Sequence, residues 1–314
     1  MLNLLYIPTL HSTLVICGKK SLRQLEGSTS NVGKGSTGFT TMDDLYKYIF
    51  CRNIGFFTEG EQERLRRSTV AIAGAGGIGG LLAERLMRLG VGALKIIDPG
   101  TFEHSNLNRQ FGSSTLNLGK NKAEEVFKQI KDINPQAKIK YSKTGIKTRK
   151  EAAFFVSNCD VVVDAMDFGL FKEAVYLQRA ARERGIYYIF ASAIGFGALV
   201  VIFDPNGLTL EEYNRLPLGI DLENSEEPKI AMDRVCPVIP SYAVPSSVEA
   251  EEIMHEIIAG ERPAPTNSIG VGLASILVAI EATNVILGKR DIASASRYTY
   301  IDLLDRKFLV GTVS

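Results

Sequence analysis

The stretch TVAIAGAGGIGG, residues 69–80, decides the fold of this chain. Its apolar, β-branched run over 69–73 predicts a buried strand, and GAGGIG over 74–79 predicts a tight turn. An amphipathic stretch over 81–89 predicts a helix, and a second apolar run over 93–97 predicts the next strand. Strand, glycine turn, helix and strand in this order are typical of an open α/β sheet that binds a nucleotide.

The same alternation continues down the chain. Further helices are predicted over 120–132, 149–157 and 172–184, and further strands over 138–141, 161–164, 187–191 and 198–203. The strands are continuous apolar runs, which favours strands covered on both faces. We therefore expect the α/β class, with a Rossmann-like, doubly wound, mostly parallel sheet.

The remaining segments suggest how the domain is organised. Residues 1–40 form an N-terminal arm and a flexible linker, because residues 27–40 are rich in Gly, Ser and Thr. One folded domain is expected over 41–314. It opens with helices over 42–50 and 59–66, and Thr58 and Glu61 have the spacing of a capping box. The proline-rich residues 204–267 are predicted to be a long crossover loop that faces the substrate, with one helix over 249–259. An apolar helix over 269–287 and a last strand over 298–303 complete the domain.

Composition limits the possible functions. The 314 residues are 45% hydrophobic and 23% charged, with a net charge of +1, so the chain is globular and carries no overall field that attracts nucleic acid. Residues 269–287 are long enough to cross a membrane, but Glu281 and Asn284 favour a buried core helix, and no membrane partner is expected. The four cysteines are widely spaced, which predicts neither disulfides nor a zinc site and fits a cytoplasmic protein.

The glycine turn and the acid that follows it predict nucleotide binding. Gly74, Gly76, Gly77 and Gly79 lie between a strand and a helix, where backbone N–H groups and the helix dipole favour a phosphate. Asp98 lies 24 residues after Gly74, at the end of the second strand, where a carboxylate can accept hydrogen bonds from ribose hydroxyls. NAD and ATP both present ribose and phosphate, so these residues leave the nucleotide open.

The segment that follows favours a triphosphate. Arg109 and Lys122 lie after the second strand, and a triphosphate that releases pyrophosphate needs fixed cations to stabilise the developing charge. Asp164 and Asp167 follow the strand over 161–163, where a carboxylate can hold Mg²⁺. Asp160 is predicted to cap the start of that strand.

Ordered sequence blocks carry a family resemblance. VAIAGAGGIGG, IIDPGTFEHSNLNRQFG, LGKNKAEEV, INP and DVVVDAMD occur in this order between residues 70 and 167. In order and spacing they resemble the ThiF and MoeB adenylyltransferases of the ubiquitin-activating type, over roughly residues 50–204. The resemblance implies a fold that binds ATP and Mg²⁺. It also implies adenylation of a carboxylate, typically the C-terminal glycine of a ubiquitin-like protein or a peptide, with release of pyrophosphate.

Family roles can be carried over to single positions. The resemblance implies that the four glycines lie at the phosphates, that Asp98 lies at the ribose and that Asp167 is associated with magnesium. It implies triphosphate contacts for Asn106, Arg109 and Lys122. Arg52, in CRNIGFFTEGEQERL, matches an arginine that reaches the neighbouring subunit's ATP in family homodimers. The implied catalytic residues are therefore Arg52, Arg109, Lys122 and Asp167, in a homodimer.

Three departures from the family pattern bear on activity. Gly100 stands where the family commonly has a second aspartate, and Phe168 stands where it usually has Asn. The two C-x-x-C zinc pairs are absent, so no structural zinc is expected. Cys236, in RVCPV, lies where some activating enzymes place a thioester-forming cysteine, and packing is the competing role.

The sequence therefore predicts an ATP-dependent adenylyltransferase that activates the carboxylate of a peptide or of a ubiquitin-like or sulfur-carrier protein. Three alternatives stay open. An NAD(P)-dependent oxidoreductase would share the glycine turn and Asp98, but would leave Arg109, Lys122 and Asp167 without a shared task. A family member acting on an RNA-linked carboxylate is opposed by the near-zero net charge. A fold-retaining module without turnover would explain Gly100 and Phe168.

Overall fold

The computed structural model describes residues 41–222, 230, 232–240, 242, 252–253, 255–257 and 259–313. The predicted arm and linker, and much of the helix predicted over 249–259, lie outside these residues. Contacts between Cα atoms divide the chain into two compact units, Met1–Gln62 and Glu63–Ser314. The single domain predicted over 41–314 stays a prediction.

The smaller unit contains helix α1, Met42–Ile49, and a 3-10 turn, Cys51–Asn53. Helix α2, Glu59–Arg67, begins in this unit and ends in the larger one. The predicted capping box at the start of α2 is confirmed, since Thr58 N–H donates to Glu61 Oε2 at 2.7 Å and Glu61 N–H donates to Thr58 Oγ1 at 3.2 Å. Within the unit, Gln62 accepts from Asn53 Nδ2 at 3.0 Å.

The larger unit is built on one eight-stranded sheet in the order β3-β2-β1-β4-β5-β6-β7-β8. Strands β1 to β5 are parallel, and β6, β7 and β8 are antiparallel to their neighbours. The strands are Thr69–Ala73, Ala93–Ile97, Lys138–Ser142, Val161–Asp164, Tyr187–Ile194, Gly197–Phe203, Arg297–Asp302 and Lys307–Thr312. The predicted α/β class and mostly parallel sheet are confirmed.

The helices fall into two packed groups. Helices of the larger unit are Gly77–Leu89 (α3), Lys122–Ile130 (α4), Arg149–Phe155 (α5), Phe171–Arg182 (α6), Leu210–Tyr213 (α7), Met232–Val235 (α8) and Ser268–Leu287 (α9). Helix α3 contacts α4, β1 and the long helix α9, whereas α5 contacts α6, and α6 also contacts β5 and α7. The crossovers on the two sides of β1 run in opposite directions, and because such crossovers are right-handed, their helices lie on opposite faces of the sheet.

The strand order places the ligand site. Strand β1 pairs with β2 on one side and β4 on the other, so the chain changes winding direction at the carboxyl ends of β1 and β4. Ligands of open α/β sheets bind at this switch point. The glycine turn after β1 and the acidic loop after β4 both begin there.

Some element boundaries differ from the prediction. Helix α3 begins at Gly77, four residues early, and α4 begins at Lys122 because the Asn121 side chain accepts from Glu124 N–H and caps it. The strand predicted to be last, over 298–303, is followed by β8, and residues 303–306 connect the two. The crossover region contains the short helices α7 and α8.

Helix α9 is the one helix of the described residues that is long and apolar enough to cross a membrane. It packs against α3, β4, β5 and β6, and half of its apolar window is buried. A core helix of a sheet covered on both faces needs the same composition, because it is apolar around most of its circumference. The packing agrees with the expectation of a core helix.

Candidate nucleotide site

The glycine turn after β1 is shaped by backbone contacts at the switch point. Gly74 has a φ of +94°, and a Cβ atom there would lie 2.3 Å from the carbonyl oxygen of Ala165, directly after β4. A Cβ atom at Gly79 would lie 1.9 Å from Gly74 O, and one at Gly77 would lie 2.8 Å from Val271 Cγ1 of α9. Backbone contacts therefore require glycine at Gly74 and Gly79, whereas Gly77 lies close to a side chain of α9.

Gly76 is the glycine of the turn at which an added Cβ would meet only ordinary contacts. It precedes α3, and no side chain accepts a hydrogen bond from the first turn of that helix. The nearest atoms to a Cβ at Gly76 belong to the Gln110 side chain, at 3.6 to 3.8 Å. The N-terminus of a 13-residue helix thus faces the site with its amides and its positive dipole end, which suits a phosphate.

Asp98 ties the glycine turn to the end of β2. Its Oδ2 accepts from Ala75 N–H at 2.7 Å, and its Oδ1 accepts from Gly100 N–H at 2.7 Å. Asp98 is 9% exposed. Each carboxylate oxygen has a second lone pair, so Asp98 can still accept from ribose hydroxyls while it holds the turn.

The carbon stem of Lys122 lies next to Gly100, close to the Asp98 carboxylate. A Cβ atom at Gly100 would lie 3.0 Å from Asp98 Oδ1 and 3.4 Å from Lys122 Cε. Asn121 orients this corner, because its Nδ2 donates to Asp98 O at 2.8 Å and to Gly100 O at 3.0 Å. The structure therefore places the Asp98 carboxylate and the Lys122 stem both next to Gly100.

Arg109 and Asn106 lie on the loop between β2 and α4. The Arg109 guanidinium donates to Ser105 O at 2.9 Å and to Asn108 Oδ1 at 2.8 Å. Asn106 is buried, and its Oδ1 accepts from Glu103 N–H at 3.1 Å, so its oxygen caps the 3-10 turn that begins at His104. Both predicted residues are placed on the loop that leads to Lys122, and their phosphate contacts stay predictions.

Gln110 was not predicted as a site residue. It is 9% exposed, it packs beside Gly76, and no donor among the described residues reaches its Oε1. A buried amide oxygen without a partner is costly unless a ligand or water satisfies it. Gln110 stands in the quoted SNLNRQ block, but nothing in the sequence distinguishes its burial from the exposure of its neighbours.

The two aspartates after β4 have different environments. Asp164 is 3% exposed, accepts from Met166 N–H at 2.9 Å and accepts from the Tyr188 hydroxyl. Burial raises the pKa of the Asp164 carboxyl to about 6, and the Tyr188 hydrogen bond opposes that rise. Asp167 is exposed in the middle of the loop from β4 to α6. Asp160 is the predicted cap, and its Oδ2 accepts from Thr69 N–H at 2.7 Å.

The side chains at the switch point fit a magnesium ion only when nucleotide phosphates supply further ligands. No group of three or more His, Cys, Asp or Glu side chains in the described part of the chain could hold a metal by itself. Mg²⁺ is commonly bound by one or two carboxylates together with substrate phosphates and water. Asp167, which is exposed at the switch point, could supply one such ligand.

Two other predicted residues belong to other elements of the chain. Arg52 is exposed in the 3-10 turn of the smaller unit, so its role at a neighbouring subunit stays a prediction. Cys236 is 7% exposed, and burial raises the pKa of its thiol to about 12. Because the thiolate is the nucleophile, this environment favours the packing role over the thioester role.

The chain matches one protein family and several named proteins. The ThiF family model matches residues 50–313. The chain is 33% identical over 124 residues to the tRNA threonylcarbamoyladenosine dehydratase of Bacillus subtilis, covering 40% of this chain and 48% of that protein. It is 31% identical over 162 residues to the sulfur carrier protein adenylyltransferase of Thermus thermophilus, covering 52% of this chain and 58% of that protein. These matches span about half of each relative's length.

A solved structure of E. coli MccB with ATP has the same fold, with a TM-score of 0.60 and 19% identity, covering 81% of this chain and 66% of MccB. The family model extends from the segment that contains Arg52 to the end of β8. It therefore includes the glycine turn, the Asp98 and Lys122 corner and the whole sheet. On this match, the chain belongs to the ThiF family.

Proposed function

We propose that this protein is an ATP-dependent adenylyltransferase that activates a carboxylate as an acyl-adenylate and releases pyrophosphate. The observation that carries the proposal is the corner at the ends of β1 and β2. There Asp98 holds the glycine turn at 2.7 Å and the Lys122 stem lies against Gly100. A cationic side chain whose stem lies close to the ribose acid suits a triphosphate. The relatives that are named adenylyltransferases support the same activity.

The reaction needs positioning and charge more than a base. One oxygen of the acceptor carboxylate attacks the α-phosphorus, a new O–P bond forms, and the bond from the α-phosphorus to the bridging oxygen breaks. Pyrophosphate leaves with that electron pair. Carboxylates are ionised near pH 7, so no residue has to remove a proton. The α3 N-terminus and the Arg109 and Lys122 cations would stabilise the charge that moves onto pyrophosphate.

Magnesium would neutralise phosphate charge when bound, and Asp167 would hold it together with the nucleotide. Arg52 would add a cation from the second subunit of a homodimer. The acceptor would be a peptide or a protein with a free carboxylate, as the names of the relatives suggest. The protein would work in the cytoplasm, where ATP is abundant and its cysteines stay reduced.

Titration calorimetry with Mg·ATP and with NAD tests the proposal. The native protein, Arg109→Ala and Lys122→Ala would be compared. We expect ATP binding and no NAD binding, and each substitution should weaken ATP affinity about tenfold or more, since a hydrogen bond to a charged group contributes about 1.5–3 kcal/mol. Arg88→Ala, on the exposed part of α3, is a matched control that should leave ATP affinity unchanged. NAD binding alone would return the oxidoreductase alternative.

Pyrophosphate exchange then separates an enzyme from a module without turnover. A screen of peptides and small carrier proteins should reveal acceptors that exchange labelled pyrophosphate into ATP. ATP binding without exchange for any acceptor would favour the inactive module. Phe168, which stands where the family usually has Asn, is the sequence feature that supports this alternative. Gly100 is less indicative of lost activity, because Asp98 and Lys122 both lie next to it in the structure.

One surface favours the RNA-linked acceptor as a second candidate. Exposed lysines follow one another along the edge strand β3, the loop after it and the first turn of α5, at Lys138, Lys140, Lys143, Lys147 and Lys150. Such a strip can bind phosphates even when the net charge of the protein is +1. A gel-shift assay with tRNA at about 50 and 200 mM salt tests it. Retardation that is lost in Lys138→Glu/Lys140→Glu would support this acceptor, and its absence would leave the peptide or carrier protein.

A further inference from the structure

A pocket opens next to the proposed nucleotide site, on the α6 face of the sheet. It lies between the loop from β4 to α6, the strands β5 and β6, helix α7 and the segment around α8. The pocket is open to solvent, and the part of it that water molecules can enter, measured at their centres, is about 70 Å³. Most of its lining is apolar, including Phe168, Leu170, Phe190, Leu210, Ile230 and Val235.

The polar groups that line the pocket are largely engaged with one another. Asp164 accepts from the Tyr188 hydroxyl and from Met166 N–H. The Tyr213 hydroxyl donates to Arg234 O at 3.0 Å, and the Arg234 guanidinium lies 5.9 Å from the centre of the Tyr213 ring. Rings line the floor, where Phe203 meets Tyr213 edge-on with centroids 5.4 Å apart. Apart from the buried Arg234 guanidinium, which also lines the pocket, the space that remains is bordered mostly by apolar side chains and suits an apolar group.

The mouth of the pocket coincides with the place where the reaction would occur. Asp167, exposed at the mouth, is also the residue assigned to the nucleotide's magnesium. The glycine turn touches the start of the same loop, because a Cβ at Gly74 would lie 2.3 Å from Ala165 O. A carboxylate placed beside the α-phosphate would therefore have its own side chain at the pocket mouth.

The loop that forms the mouth is held from outside by the crossover region. A Cβ at Gly169 would lie 2.8 Å from the Cα of Gly260 and 2.9 Å from Ala259 O. The two backbones are thus in contact without side chains between them. Further along, Arg179 of α6 pairs with the buried Glu211 of α7 at 2.8 Å and donates to Ile220 O at 3.0 Å. The pocket wall is therefore preformed, which reduces the cost of ligand binding.

We propose that this pocket receives the side chain of the residue whose carboxylate is activated, and that the acceptor ends in a large apolar residue rather than in glycine. A terminal glycine would leave the pocket without an occupant. A phenylalanine or leucine side chain would fill it and should gain about 10- to 100-fold in affinity over glycine. The inference rests on the proposed adenylyltransferase function and specifies its substrate class.

Ligand-observed NMR with two matched probes tests the inference. N-acetyl-L-phenylalanine and N-acetylglycine carry the same carboxylate and differ in the side chain. Both would be titrated into the full chain, with and without Mg²⁺ and a non-hydrolysable ATP analogue. We expect the phenylalanine probe to bind at least tenfold more tightly. Equal affinity of the two probes, or no binding of the phenylalanine probe, would overturn the inference. If the chain's own side chains fill the pocket, the phenylalanine probe will not bind.

Two substitutions at one pocket position provide the matched control. Ala174 of α6 lines the pocket and is 8% exposed. Ala174→Leu fills the space and should weaken the phenylalanine probe at least tenfold. Ala174→Ser keeps the volume and should change it by less than about threefold, since a helical serine can bond the carbonyl four residues earlier. Neither should alter the glycine probe or ATP. A loss shared by both probes would contradict a side-chain pocket.

Two further readouts keep the test decisive. If Ala174→Leu does not fold, Leu170→Ala at the 40% exposed mouth replaces it and should weaken the phenylalanine probe about threefold. Failure of the native protein to bind ATP would reject the proposed function, while the phenylalanine probe would still report on the pocket alone. ATP binding without preference for the phenylalanine probe would reject the pocket inference and leave the function standing.

Discussion

At the scale of single residues, the glycine turn is fixed by what a side chain would collide with. A Cβ at Gly79 would meet Gly74 O at 1.9 Å, and no rotation of a side chain can relieve this distance because the backbone fixes both the Cβ and the oxygen. The turn must open before alanine fits. The same turn contains Gly74, whose φ of +94° disfavours a side chain independently.

We therefore expect Gly79→Ala to lower the free energy of unfolding by about 2 kcal/mol or more and to abolish ATP binding. The control is Gly272→Ala in α9, where no atom lies within 4 Å of the added Cβ and alanine should stabilise the helix by up to about 1 kcal/mol. Urea unfolding of both variants checks this. Similar stabilities would show that the turn can relax.

Asp164 makes stability depend on pH in a defined window. Its pKa is about 6 in the folded protein against 3.8 in the unfolded chain, so the folded state binds the proton more tightly. Stability therefore falls as pH rises from about 4 to about 6 and is constant above, by up to about 3 kcal/mol in total. The neutral amide of Asp164→Asn should remove this slope. Urea unfolding at pH 4.5, 5.5 and 7 measures the free energy of unfolding of both proteins, and the difference between them should grow as pH rises. A gap of constant size would refute the buried-acid account.

The sequence identified Asp98 and Lys122, and the structure places both next to Gly100, because the connection after β2 folds back so that Lys122 N–H donates to Gly100 O at 3.0 Å. It did not identify the burial of Gln110 or the pairing of Asp164 with Tyr188. Those depend on contacts between segments far apart in the chain, and no local pattern encodes them.

At the scale of elements, the buried strands were the most predictable part of the fold. The predicted and observed bounds of β1, β2 and β4 coincide, because each is an apolar run bounded by turn or capping residues. The start of α3 was missed because its first residues are glycines, which carry no hydrophobic period. Strand β8 was missed because it is an edge strand that exposes Phe308 and Val310, so its pattern does not alternate cleanly.

The N-terminus of α9 connects three parts of the site. Asn267 caps it by accepting from Ile269 N–H at 2.9 Å and Gly270 N–H at 3.0 Å, and its Nδ2 donates to Gly195 O at 2.8 Å. Asn108, on the loop that carries Arg109, donates to Thr266 O at 3.1 Å. The cap therefore links the turn between β5 and β6 to the loop that carries the cation.

Asn267→Ala should lower the free energy of unfolding by about 1–2 kcal/mol, the usual cost of losing a helix cap. Asn284→Ala, on the same helix, removes only a 3.5 Å contact with Glu281 and should cost less than about 0.5 kcal/mol. Thermal and urea unfolding of the two variants side by side gives the comparison. Equal losses would mean that the cap contributes nothing specific.

At the scale of the whole molecule, the assignment of Arg52 requires two chains. Arg52→Ala and Arg109→Ala would each weaken ATP binding at every site of a homodimer. Mixed dimers would contain one site that lacks both arginines and one intact site, so an equal, randomly exchanged mixture should recover about a quarter of the native tight ATP sites. Calorimetric stoichiometry after mixing and re-equilibration measures this. No recovery in a preparation that light scattering shows to be dimeric would place Arg52 outside the neighbouring site.

The two ends of the sheet have opposite surface chemistry, which matters for handling the protein. Strand β3 presents Lys138 and Lys140, and charged edge strands resist pairing with other sheets. Strand β8 instead presents Phe308 at 70% exposure and Val310 at 50%. Concentrated samples should self-associate through β8 before β3. A lysine introduced by Val310→Lys would be the first solubility change to try before crystallisation, since it leaves the nucleotide corner and the pocket untouched.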